Sequence, residues 1–229
     1  MSSPVDLRNP GRKLHVGVIL LNSVTEYLDI GPVDFLAGVS RECTKDMEGP
    51  FLAAEFKAQA LDIQFHWVTE TGDASGRMTG GLRGPNVSNF QDSFVSCPPL
   101  DIVIQGATIG GYKVSETEKA FLRKSYDNCA AFLCICTGVE HALDAGLLEG
   151  KTATAPRPIL PLLTQTAPGV NWVDKRWAQG GKIWTTGTLL CGLDMVVAFA
   201  RQTWGGEGSL VERVIEMGEW PQRGVEYEK

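Results

Sequence analysis

The residues best placed to do chemistry are Cys136, Thr137 and Gly138, at the end of Phe132-Leu133-Cys134-Ile135, where an uncharged β-rich run gives way to a helical pattern. A nucleophilic side chain at a strand-to-helix junction, with a glycine two positions later, follows the logic of a nucleophile elbow. Small flanking residues permit a strained turn that presents the side chain at the carboxyl edge of a sheet. Cys134 stands at the small-residue position that a glycine usually fills. The N-terminus of the following helix is expected to favour a thiolate on Cys136 through its dipole and free N–H groups. Open α/β sheets also bind ligands at that edge. The competing reading is an inert buried thiol, the usual fate of a free cysteine, and the pattern alone leaves both open.

The other candidates are weaker. Cys43, Cys97, Cys129 and Cys191 are scattered, and Cys134 with Cys136 forms only C-x-C with His141 nearby, so no metal site is expected. His15 and His66 fall inside strand patterns and read as packing residues. His141, five positions beyond Cys136 on a helix, lies on a different face and reads the same way. Glu140, four residues after Cys136, is in helical register to approach it, or else is a charge on the solvent face. Gly80-Gly81 and Gly110-Gly111 lack Walker or dinucleotide spacing, so no cofactor is expected.

The elements that must position Cys136 alternate along the chain. Strands are expected over 13–21, 61–68, 100–104, 130–135, 151–155, 170–177 and 182–186. Helices are expected over 28–39, 116–125, 137–148, 161–166, 188–204 and 210–217. Residues 72–89, rich in glycine, read as hairpins or loops. Continuous apolar strands alternating with helices imply one α/β domain, a mostly parallel sheet sandwiched by helices. Residues 1–12 read as an N-terminal extension, 41–58 as an insertion and 219–229 as a polar tail. The length of 229 residues suits one such domain. A net charge of −6, from 21 Lys+Arg against 27 Asp+Glu, argues against a nucleic-acid or anionic-membrane partner. No signal-peptide core or apolar run of about 18 residues is visible, so a cytoplasmic protein with reduced thiols is expected.

Several stretches together resemble the DJ-1/PfpI superfamily, most closely its isocyanide hydratase-like branch. The stretch Ile135-Cys136-Thr137-Gly138, then Ala145-Gly146-Leu147-Leu148-Glu149-Gly150 and Thr152-Ala153-Thr154, is similar to that branch's C-T-G, A-G-L-L-x-G and A-T-T. Leu28-Asp29-Ile30-Gly31-Pro32, Pro98-Pro99-Leu100-Asp101 through Gly106-Ala107, and Gly181 through Gly187 followed by Gly192-Leu193-Asp194 match further motifs in order. The resemblance spans about Val16 to Phe199 and implies a flavodoxin-like fold.

That resemblance also implies roles. Cys136 matches the nucleophile, and Asp29 the acidic residue facing it; on its own, Asp29 before Ile-Gly-Pro reads as a helix N-cap. Thr137 and Gly138 beside the nucleophile, and the backbone of Gly106-Ala107, match the groups that bind substrate and an oxyanion. Gly187, Thr188 and Cys191 are candidate pocket-lining residues. Ala155 stands where Cys-His members carry the histidine, which argues against protease chemistry. Thiolate addition with Asp29 as acid/base implies hydratase, lyase or isomerase action on a small-molecule substrate. The alternative is a redox sensor or ligand-binding module. The resemblance also implies a homodimer.

Overall fold

The computed structural model describes residues 4–47, 49, 51–72, 77–81 and 91–228. Strands β1 (Leu14–Ile19), β2 (Val24–Thr25), β3 (Ile63–Thr69), β4 (Arg77–Met78), β5 (Gln91–Ser93), β6 (Ile102–Gln105), β7 (Ala131–Cys134), β8 (Thr152–Ala153), β9 (Asn171–Trp172), β10 (Trp177–Gly180) and β11 (Ile183–Thr186) occur among eight helices. These are α1 (Pro32–Gly38), α2 (Arg41–Thr44), α3 (Ala54–Lys57), α4 (Glu116–Asn128), α5 (Gly138–Asp144), α6 (Leu160–Thr166), α7 (Cys191–Trp204) and α8 (Leu210–Met217).

A seven-stranded sheet runs in the order β10-β11-β7-β6-β1-β3-β5. All its neighbouring pairs are parallel except the edge pair β10–β11. Side chains alternate between faces, which splits the core in two. Val16, Val18, Ile102, Ile104 and Leu133 pack with Phe35, Val196 and Val211 from α1, α7 and α8. Ile19, Val103, Phe132 and Cys134 pack instead with Phe121, Leu122 and Val139 from α4 and α5. The central strands are therefore apolar on both sides, as helix-covered parallel strands must be.

Several boundaries differ from the sequence expectation. The helix expected over 28–39 is a 3-10 turn, Tyr27–Ile30, followed by α1 with Pro32 in its first turn. Asp29 therefore lies inside a turn and is not an N-cap; Gly31 holds the N-cap position of α1. The helix after Cys136 ends at Asp144 because Gly146 takes a left-handed φ of 75°. The strand expected over 151–155 is the two-residue β8, which pairs with β9 outside the main sheet. Residues 41–58 include α2 and α3. Most of 72–89 lies outside the described residues, which retain β4 there.

Both flanking segments are anchored. Arg12 grips Asp101 with two hydrogen bonds of 2.8 and 2.7 Å, and the Trp204 indole N–H donates to the Leu7 carbonyl at 2.6 Å. In the C-terminal tail, Trp220 stacks edge-on against Phe35 and Arg223 pairs with Asp194 at 2.6 Å. All six cysteines are free. Among the described residues no helix is long and apolar enough to cross a membrane.

Candidate active site

Cys136 sits between the end of β7 and the start of α5 with φ at 56°, a left-handed conformation uncommon for a residue with a Cβ. Such a backbone costs on the order of 1–3 kcal/mol and persists only where its surroundings impose it. Those surroundings are visible. The Cys136 N–H donates to Thr186 Oγ1 at 3.0 Å, and the Ile135 N–H to the Gln105 carbonyl at 2.9 Å. Gly138 closes the turn through a 2.9 Å bond to the Ile135 carbonyl. A Cβ on Gly138 would lie 2.6 Å from the Gln105 carbonyl oxygen and 3.0 Å from that of Gly106. The glycine after Cys-Thr is thus required by close backbone approach.

Asp29, in the 3-10 turn Tyr27–Ile30, meets the backbone just beyond β6. Its side chain is fully buried, and its Oδ2 accepts the Ala107 N–H at 2.6 Å. Gly106 is pressed equally hard, since a Cβ there would lie 2.9 Å from Asp29 Cβ. The Ala107 N–H, expected to face substrate, is therefore occupied by Asp29. Glu26, absent from the sequence reading, joins the pair. Ligand atoms of Glu26, Asp29 and Cys136 all lie within 4.8 Å of one another. In a 3-10 turn side chains three apart eclipse, and the Asp29 N–H does bond the Glu26 carbonyl at 3.1 Å. The spacing Glu26-x-x-Asp29 would have betrayed this had the turn type been known. Among the described residues these three form the one group of His, Cys and acidic side chains with metal-ligand spacing. Its members come from segments that no linear motif joins.

The electrostatics differ from the expected thiolate. Burial, and secondarily the Asp29 charge, push the Cys136 thiol up to about 12. The Thr137 and Leu189 backbone groups oppose this without overcoming it. Burial also raises the Asp29 carboxyl to about 7; the Ala107 N–H holds it down and the Glu26 charge adds to the rise. Both groups therefore keep protons to unusually high pH, and the short helix α5 does not reverse the cost of desolvation.

A cleft of about 470 Å³ opens beside Cys136, bordered by Glu26, Thr108, Thr137, Glu140 and His141 among others. His141 is buried and held at both ring nitrogens, by the Gln105 amide at 3.3 Å and Thr108 Oγ1 at 3.0 Å. Burial lowers its pKa to about 4, so it is neutral. Glu140 is exposed at the cleft rim. Gly187, Thr188 and Cys191 do not border this cleft; Cys191 Sγ lies 3.7 Å from both Thr188 Oγ1 and the Tyr227 hydroxyl. Ala155 is buried among apolar side chains. Three buried side-chain atoms lack a partner among the described residues: Thr25 Oγ1, Asp29 Oδ1 and Gln105 Oε1. All three side chains gather around Gly106, next to Cys136.

No protein-family model matches the chain. A characterised relative, the isonitrile hydratase of Pseudomonas putida, is 29% identical over 182 residues, covering 77% of this chain and 74% of that protein. A THiJ/PfpI family protein from Pseudomonas syringae superposes with a TM-score of 0.70 at 14% identity, covering 93% of this chain and 77% of its own. Drosophila melanogaster DJ-1beta superposes with a TM-score of 0.67 at 16% identity, covering 92% of this chain and all of its own.

Proposed function

We propose that the chain is a member of the DJ-1/PfpI superfamily, a reading supported by its 29% identity to an isonitrile hydratase and by its fold, and that it is a cysteine-dependent hydratase of small isonitriles. The observation that carries this is Cys136, held at φ 56° against a buried carboxyl that keeps its proton near neutral pH. An isonitrile is electrophilic at its terminal carbon only once that carbon is protonated, so an acid beside an uncharged thiol suits it. The Cys136 sulfur bonds to the carbon while Asp29 gives its proton to that carbon and takes up the thiol proton, leaving a thioimidate. Water adds across the C=N bond, oxygen to carbon and hydrogen to nitrogen. The C–S bond then breaks as C=O forms, a proton returns to sulfur, and an N-substituted formamide departs.

The test is formamide production from a panel of small alkyl and aryl isonitriles, followed by proton NMR. Wild type is expected to turn over at least one, with a rate falling as pH rises through about 7 and Asp29 gives up its proton. Cys136→Ser is expected to lose activity on the order of 10³-fold or more. No turnover by wild type on any of them overturns the reading. An oxidation sensor would need a ready thiolate, against which the raised Cys136 pKa weighs. Exposed Ile109 and Leu162 at the cleft support a second copy covering it; light scattering should then give twice the chain mass.

A further inference from the structure

Two carboxyl groups meet one thiol at this site, and they are not equivalent. Asp29 is fully buried, is clamped through Oδ2 by the Ala107 N–H, and does not border the cleft. Glu26 is only half-buried and does border it. We infer that Glu26 is the water-activating base of the Cys136 site: its carboxylate lies within 4.8 Å of both the Cys136 sulfur and the Asp29 carboxyl, and it alone of the two carboxyls faces the cleft from which water must come.

That separation admits one water bridging carboxylate and sulfur-bound carbon, the geometry a general base needs. The other groups at the cleft are worse placed. His141 has both ring nitrogens engaged, and Glu140 and Asp144 line the cleft without joining the cluster around the sulfur. Glu26 then takes a proton from water as the oxygen bonds to the carbon attached to Cys136, while protonated Asp29 supplies the hydrogen that nitrogen gains. On collapse Asp29 takes the hydroxyl proton, and Glu26 returns its proton to the departing sulfur. Both carboxyls finish as they began.

The inference rests on Cys136 being a nucleophile, but not on isonitrile as substrate, and the experiment separates the two. p-Nitrophenyl acetate acylates a reactive cysteine with release of p-nitrophenol, leaving a thioester that only water can clear. Intact-protein mass spectrometry would follow formation and decay of the acetyl adduct in wild type, Glu26→Gln and Glu26→Asp. The adduct in Glu26→Gln is expected to form at a rate within a few-fold of wild type and to persist on the order of 10²-fold longer. Glu26→Asp should be intermediate, which a merely structural role would not produce. Equal lifetimes, or no adduct on Cys136 in Glu26→Gln, overturn the assignment. A longer-lived adduct in a protein that turns over no isonitrile sustains Glu26 as the base and removes the isonitrile reading instead.

Discussion

Two buried polar clusters lie on this sheet, and they are built to opposite ends. Toward the β5 edge, Asp92 accepts from His66 Nδ1 at 2.7 Å, and His66 Nε2 meets His15 Nδ1 at 2.9 Å. The His15 backbone N–H donates to Asp101, which Arg12 holds from outside. Around Cys136, by contrast, Thr25, Asp29 and Gln105 each leave a buried oxygen without a partner among the described residues. Buried polar atoms in native proteins are nearly always bonded, so a concentration of exceptions marks a place shaped for something other than stability. The first cluster ties strands together; the second keeps unmet hydrogen-bonding capacity and a strained backbone at the mouth of a cleft.

The contrast can be broken by mutation. Gly138→Ala forces a methyl against two backbone carbonyls that cannot move aside, and is expected to destabilise by about 3 kcal/mol in urea unfolding. His66→Ala removes the middle of the satisfied chain and is expected to cost about 2 kcal/mol, leaving acylation of Cys136 within two-fold of wild type. Asp29→Asn should go the other way. Burial raises this carboxyl to about 7, so from about pH 4 upward the folded state retains a proton that the unfolded chain has released, and stability falls as pH rises to about 7. The asparagine variant is therefore expected to be more stable by on the order of 1–2 kcal/mol at pH 8, with the gain vanishing near pH 4, and to be inactive. Equal melting temperatures at pH 8 would show that Asp29 is not under strain.

Much of the fold was legible because parallel strands buried on both faces write themselves as unbroken apolar runs, as in Ile102-Val103-Ile104 and Ala131-Phe132-Leu133. Cys136 was legible because a strand-to-helix turn is a local event with local residue requirements. The thiol's protonation was not. It depends on desolvation by the tertiary packing and on the charge of Asp29, distant in sequence, and the dipole of a seven-residue helix is small beside that desolvation. Glu26 was missed because a helix expected to start at Leu28 left it outside, whereas it stands at the N-cap of a 3-10 turn, with its carbonyl accepting the Asp29 N–H and its carboxylate within 4.8 Å of the Asp29 carboxyl. The tail from Glu219 looked merely polar, yet its Trp220 closes over Phe35.

By itself, then, the sequence determined the main run of strands and helices, the two-sided core and the placement of Cys136 at a strand-to-helix turn. Each follows from the pattern of apolar residues and from backbone needs within a few positions. Only the tertiary structure decided that Asp29 takes the Ala107 N–H, that Glu26 stands at the cleft beside it, and that Cys136 holds its proton. Those outcomes turn on desolvation and on charges brought within 4.8 Å of one another from separate segments, and distance in space is what a linear pattern does not record.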